Sequence, residues 1–208
     1  MKVFQLGIYR MEEGAGASSK AIELASAVDV SSFGFFQRTP VQEFMSFFAH
    51  TIAERTKPGE RQRVEKDNTE YYGYVYKQKH DQVAGVLLAD KEYPQRVAFA
   101  LITKMLDEFS KKYSPQQWST VTKPKSLGFD ETMADYLAKY QDPRQADNIM
   151  QIHQQLDETK AVLHQTIEAV LNREEKLDDL ISKSNSLSVQ SQAFYQAAKK
   201  TNKCCTIM

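Results

Sequence analysis

Residues 170–187 read VLNREEKLDDLISKSNSL. Apolar side chains recur through them at alternating steps of three and four, and Arg173 stands at one of the positions so marked. Extended in both directions, the step passes through Ile149, Ile152, Leu156, Thr159, Leu163, Thr166, Val170, Arg173, Leu177, Leu180, Ser184, Leu187, Ser191, Phe194, Ala198 and Thr201 without a skip. These 16 positions span 53 residues, which as one helix would measure about 80 Å. A 3.5-residue period held this far predicts a left-handed coiled coil, because the core-facing stripe of a globular helix rarely runs so long.

The seam differs from a simple zipper. Ten positions are apolar, while Thr159, Thr166, Ser184, Ser191 and Thr201 are small and polar. Arg173 has seven seam residues before it and eight after it. Self-pairing would bring two arginines together in a dry layer, at a cost of several kcal/mol. A buried guanidinium needs acceptors for five N–H donors, and its own helix offers none on that side. The physical inference is a hetero-oligomer whose other helices present acceptors at this layer and larger side chains opposite the small ones. The competing reading is a surface arginine in a loosely drifting seam.

Outward from the seam, composition divides the chain in two. All eight glycines, all six prolines and 20 of the 22 aromatic residues lie at or before Arg144; Phe194 and Tyr195 are the only aromatics after it. Residues 1–140 therefore carry the material of a globular core, and residues 145–205 that of one long helix. In the front part, VFQLGIYR (3–10) and AIELASAVD (21–29) read as strands around a Gly/Ala/Ser-rich turn. TPVQEFMSFFAHTIAERT (39–56) reads as a helix opened by a capping box, with Thr39 as cap, Pro40 at the first helical position and Gln42 three residues after the cap. RQRVEKD (61–67), YYGYVYKQ (71–78) and QVAGVLLAD (82–90) are strands, and residues 93–112 and 130–141 are helices. The order ββαβββαα predicts an α+β domain, an antiparallel sheet flanked by helices.

The only cysteines, Cys204 and Cys205, sit side by side in CCTIM (204–208). Adjacent Cα atoms, about 3.8 Å apart, are too close for a relaxed disulfide, and no Cys or His spacing supplies a metal set. Cys205-Thr206-Ile207-Met208 fits the prenylation pattern, its final Met favouring farnesyl, and Cys204 is placed to be the second, acylated thiol that stable anchoring requires. Lys199, Lys200 and Lys203 would add attraction to anionic headgroups. The N-terminal MKVFQLGIYR lacks the apolar core and cleavage site of a secretory signal, and no run reaches the roughly 18 apolar residues of a membrane span. A cytosolic chain attached to membranes by lipid is expected. The 27 basic and 27 acidic residues balance, giving no global field for nucleic acid.

VLNREEKLDDLISKSNSL, with its seam arginine, resembles the central layer of synaptobrevin-type R-SNAREs. The front ββαβββαα order resembles their longin (profilin-like) domain. SSFGFFQRTPVQEFM (31–45), EYPQRVAFALITKMLDEFSK (92–111) and CCTIM resemble the branch held by lipid in place of a transmembrane helix. The resemblance covers essentially the whole chain; the loop at residues 12–20 is longer than the family pattern. It implies a fusion protein that zips with three glutamine-type SNARE helices on the apposed membrane into a four-helix bundle, Arg173 bonding the three glutamines. It also implies S-palmitoyl on Cys204, S-farnesyl on Cys205 with residues 206–208 removed and the new terminus carboxymethylated, no catalytic residue and no cofactor. The implied location is the cytosol and the cytoplasmic face of ER, Golgi and endosomal–vacuolar membranes.

On a helical wheel Val41, Phe44, Met45, Phe48 and Ile52 share one face, which should pack on the sheet, and Phe47 points about 120° away from Val41. With Phe33, Phe35 and Phe36 just upstream, Phe47 is a candidate regulatory residue; in the family this surface takes up the SNARE helix and the lipid. An enzyme is the main rival class, but no phosphate-cradling G-x-x-x-x-G-K-[ST] is present, and His50, His80, His153 and His164 form no triad or metal spacing. A prenylated coiled-coil tether is the other rival, although a tether has no need of a charged layer.

Overall fold

The structure is a computed structural model describing residues 1–13, 19–66, 69–124, 127–143, 161–171 and 175–204. Strands β1 (Val3–Glu13), β2 (Ser19–Val28), β3 (Arg61–Glu65), β4 (Tyr71–Lys77) and β5 (Val83–Asp90) form an antiparallel sheet in the order β2-β1-β5-β4-β3. Helix α1 (Arg38–Arg55) covers one face; α2 (Gln95–Lys112) and α4 (Asp130–Lys139) cover the other. The short α3 (Pro115–Ser119) joins the last two. The expected α+β order is present, with α3 as an addition.

Strand β5 shows why the sheet is a middle layer. Val83, Leu87 and Ala89 pack towards α2, while Ala84, Val86 and Leu88 pack towards α1. Both faces are buried, so the strand is a near-continuous apolar run with no polar alternation. Gly73 on β4 lets α1 approach closely, since a Cβ there would sit 2.8 Å from Ile52 Cδ1 and Phe48 Cε1.

Helix α1 does not start at a capping box. A 3₁₀ turn, Phe35–Gln37, runs straight into it, so Gln37 takes the cap position without a side-chain bond and Thr39 is already helical. Pro40 falls in the first turn, where its missing N–H costs little. A capping box does occur at α3, where Ser114 and Gln117 cap each other reciprocally.

The second half departs most from expectation in form. Instead of one continuous helix, its described part comprises β6 (Val162–Thr166), α5 (Ile167–Val170), α6 (Leu177–Lys183) and α7 (Val189–Cys204). β6 adds to the sheet parallel to β3, Arg61 facing Val162 and Glu65 facing Thr166. It covers a strand edge that would otherwise stand open to pairing with another chain. Leu163 thus lies in a strand, 39% exposed. Val170, Leu177, Leu180, Leu187, Phe194 and Ala198 are shared among three helices and a turn. Ile149, Ile152, Leu156, Arg173 and Cys205 lie outside the described residues.

The physical reason is partnership. A heptad seam describes what a segment buries when other helices supply the opposite wall. Without them a single long helix leaves its apolar stripe in water, and propensity alone seldom sustains it. Two of the small polar seam residues, Thr166 and Ser184, stand at breakpoints, and a third, Ser191, lies in the first turn of α7. Thr166 caps α5 through Ala169 N–H at 3.3 Å. The Ser184 hydroxyl pairs with that of Ser186 at 2.8 Å in the turn after α6. The Ser188 hydroxyl accepts the Ser191 N–H at 3.2 Å where α7 begins. Short hydroxyl side chains compete with helical hydrogen bonding in this way.

Candidate functional site

The site is the apolar layer of α1 with the neighbouring edge of the sheet, onto which the second half folds back. Ile167, Leu171, Leu177, Ile181 and Leu187 are each at most 6% exposed and join one apolar layer with Met45, Phe48, Ala49, Ile52 and Ala53. Met45, Phe48 and Ile52 are buried as the wheel predicts, whereas Val41 and Phe44 are half-buried and form a wall for the incoming segment. Burying side chains of this size contributes about 1.5–3 kcal/mol each.

Polar contacts fix the register. Arg55, in the last turn of α1, donates to both carboxylate oxygens of Glu175 at 2.8 and 3.0 Å. Glu43 on α1 accepts the Ser188 N–H at 2.7 Å, so a side chain of the front domain receives the opening of α7. Tyr195 stacks on Phe44 at 5.4 Å and 16°, and its hydroxyl donates to Asp178 at 3.1 Å. Asp178 also pairs with Lys199, linking α6 to α7. Lys66 lies over the Tyr195 ring at 5.2 Å.

These contacts tune two carboxyls. Burial works against the charged form of Glu43, but hydrogen bonds from the Ser188 N–H and from the Ser191 and Ser188 hydroxyls outweigh it and lower its pKa. Asp178 is lowered chiefly by its bond to Lys199, against partial burial and with help from Tyr195. Burial raises the Tyr195 phenol, followed by the neighbouring Asp178 charge.

Between α1, the sheet edge and α7 lies an open cavity of about 790 Å³. Phe4, Phe33, Val41, Phe44, Tyr71 and Tyr195 supply much of its wall. It falls in the range of small-ligand sites, about 300–1,000 Å³. Phe194, Ala198 and Lys199 of α7 also line it, and that helix ends at Cys204. Phe47 is half-buried, its ring 6.3 Å from that of Phe44, and it borders a smaller cavity shared with Ser186. Of the lysines expected at the membrane, Lys199 is engaged by Asp178 here.

The family model of the regulated-SNARE-like longin domain matches residues 30–133, and the synaptobrevin model matches residues 148–207. The chain belongs to the longin-type R-SNAREs. It is 50% identical to the "Synaptobrevin homolog ykt6" of Schizosaccharomyces pombe and 47% identical to the "Synaptobrevin homolog YKT6" of Saccharomyces cerevisiae. It is 48% identical to the protein of that name in Candida glabrata, and each match covers 100% of both chains. As a longin-type R-SNARE it acts in vesicle fusion, a non-enzymatic role. Among the described residues, no helix is long and apolar enough to cross a membrane.

In this R-SNARE the docked stripe overlaps the zippering seam without coinciding with it. Leu177, Leu187 and Ser191 belong to both, whereas Ile167, Leu171 and Ile181 each lie one residue after a seam position. Reading the seam alone misses these three, although the sequence carries them as a second apolar stripe displaced by one residue. Glu43, Arg55 and Tyr195 carry no comparable signal, because their partners are 17 to 145 residues away.

Ile181→Glu should release the second half and raise the Stokes radius in size-exclusion chromatography. It should still assemble with partner SNARE helices, since its position flanks the seam and charges are tolerated there. Leu177→Glu should fail to stay closed and also fail to assemble. For the lowered carboxyls of Glu43 and Asp178, stabilisation of the docked form is complete above their ordinary values near pH 4 and is lost as pH falls through their lowered ones. Docking should therefore hold at neutral pH and weaken in strong acid. A Glu43→Gln, Asp178→Asn chain should show a shallower Stokes-radius change over the same titration.

Proposed function

We propose that this chain is a lipid-anchored R-SNARE that alternates between a closed cytosolic form and a zippered, membrane-bound form, with its longin domain as the inhibitor. The observation that carries this reading is the burial of Leu177 and Leu187, two seam residues, against the α1 layer. A residue buried there is withheld from a helical bundle, so closing and zippering compete.

In the zippered form, Ile149 to Thr201 pair with three glutamine-type helices, and Arg173 places its five donors among their side-chain oxygens. The 3,4 spacing and the central position of Arg173 support this. Farnesyl on Cys205 and a removable acyl chain on Cys204 serve as anchor, since one chain alone gives only marginal membrane affinity. Residues 206–208 are removed and the new terminus is carboxymethylated. In the closed form the apolar cavity beside α7 receives the lipid, a role supported by its aromatic wall and by the position of Cys204 at the end of that helix. Cytoplasmic faces of ER, Golgi and endosomal–vacuolar membranes are the sites of action. Phe47, beside the docked Ser186 turn, is the longin residue that holds the closed form.

Cys205→Ser should leave the protein wholly in the cytosolic fraction, and Cys204→Ser should give weak, reversible membrane binding; wild-type pelleting of either variant would remove the corresponding lipid. Arg173→Gln should still form a partner complex, because an amide carries no buried charge, whereas Arg173→Glu should lower the melting temperature of that complex. Phe47→Glu should move the closed–open balance by about one to two powers of ten without unfolding the domain. Fractionation, together with circular dichroism, would show membrane recruitment of a folded protein. Unchanged localisation and Stokes radius would make Phe47 an ordinary surface aromatic.

A further inference from the structure

The same loop that supplies Phe33 to the cavity wall carries two side chains with no role in closing. Phe35 and Phe36 are 77% and 85% exposed on the 3₁₀ turn before α1, their rings edge-to-face at 5.5 Å. Nothing in that turn is buried. Two adjacent phenylalanines held in water are unusual, and the loop is tied down so as to hold them there. Arg38 donates from Nε to the Phe33 carbonyl at 3.1 Å and from its terminal nitrogen to the Ser31 carbonyl at 3.3 Å. Lys2 binds Asp29 at 3.1 Å and the Ser31 hydroxyl at 3.3 Å. The Phe33 ring packs on Phe4 at 5.9 Å.

We propose that Phe35 and Phe36 form a wedge that enters the interfacial region of an anionic bilayer and seats the longin domain on the membrane. Area argues against a protein partner for the pair itself. Two phenylalanines offer about 300–500 Å², well below the roughly 800 Å² per partner of a stable protein interface. A bilayer needs no complementary surface; it needs apolar side chains on a rigid tip with cationic neighbours. Arg38 meets that need, because its guanidinium bonds to backbone carbonyls and, among the described residues, not to a carboxylate. Continuity supplies the placement. Phe33 lines the same cavity as Phe194, Ala198 and Lys199 of the helix that ends at Cys204, so the loop that carries the wedge and the helix that leads to the anchor border one opening.

The proposal relies on the anchor reading only to bring the chain to a membrane, and the test can supply that step chemically. The full-length Phe36→Trp chain is coupled through its only cysteines, Cys204 and Cys205, to maleimide-lipid vesicles containing phosphatidylserine. Emission of the introduced tryptophan should shift to the blue and fall at least twofold with acyl-chain-brominated lipid. The native Trp118, 8% exposed in the opposite layer, should stay unquenched, and the same coupling of the unsubstituted chain supplies its signal for subtraction. Adding Phe35→Ser to the Phe36→Trp chain should abolish the shift. Emission from the introduced tryptophan that matches the free protein, on vesicles carrying the coupled chain, would overturn the wedge. So would emission that responds to added SNARE helices and not to lipid. Failure of natural lipidation would appear separately, as a prenylation-dependent binding defect that leaves the coupled experiment unaffected.

Discussion

One apolar layer governs this molecule: the layer between α1 and the sheet, in which Met45, Phe48, Ala49, Ile52 and Ala53 share one cluster with Ile167, Leu171, Leu177, Ile181 and Leu187. Among the described residues the α2 layer takes only the half-buried Val162 from the second half, whereas the α1 layer and the open edge of β3 depend on it. The second half has the same need, since its apolar stripe finds no cover on its own helix. Each supplies the missing wall of the other. Ordering dozens of residues opposes the burial, so the proposed function needs docking that holds a closed form yet yields to competing helices. A switch requires such a balance.

The small polar seam residues gain a second meaning from this. In a bundle, Thr166, Ser184 and Ser191 are narrow layers. In the folded-back chain Thr166 and Ser184 sit at chain breaks, where short hydroxyls cap a helix and close a turn, and Ser191 gives its N–H to the Ser188 hydroxyl in the first turn of α7. Larger apolar residues there would strengthen a continuous helix and remove the breaks that let it wrap. Polar ties then fix direction, with Arg55–Glu175 at the start of α6 and Glu43–Ser188 at the start of α7.

The front domain is legible in the sequence because its signals are local. Alternation marks the strands, Pro and Gly mark the turns, and the wheel of α1 picks out Met45, Phe48 and Ile52 correctly. The start of α1 is misplaced by sequence because a 3₁₀ turn relieves the helix of the cap that Thr39 and Gln42 predict. In the second half, the 3.5-residue period describes a state with partners, and no period within the segment encodes a wall supplied by α1. β6 is the clearest case: AVLHQT satisfies the seam through Leu163 and Thr166, yet Val162 and Thr166 suit a strand equally well, and the open edge of β3 decides between them. Ile181 and Tyr195 become visible as contacts only once the two halves are seen together.

The central claim is that one segment serves either the longin face or the partner bundle. Spin labels at exposed Gln42 on α1 and Val189 on α7, in a chain with Cys204 and Cys205 replaced by serine, test it most directly, because Glu43 and Ser188 next to them are hydrogen-bonded when the chain is closed. Double electron–electron resonance should give one short distance in the free chain and a long, broad distribution once three glutamine-type helices assemble with it. A short distance that persists in the assembled complex, or that is missing from the free chain, would contradict the account.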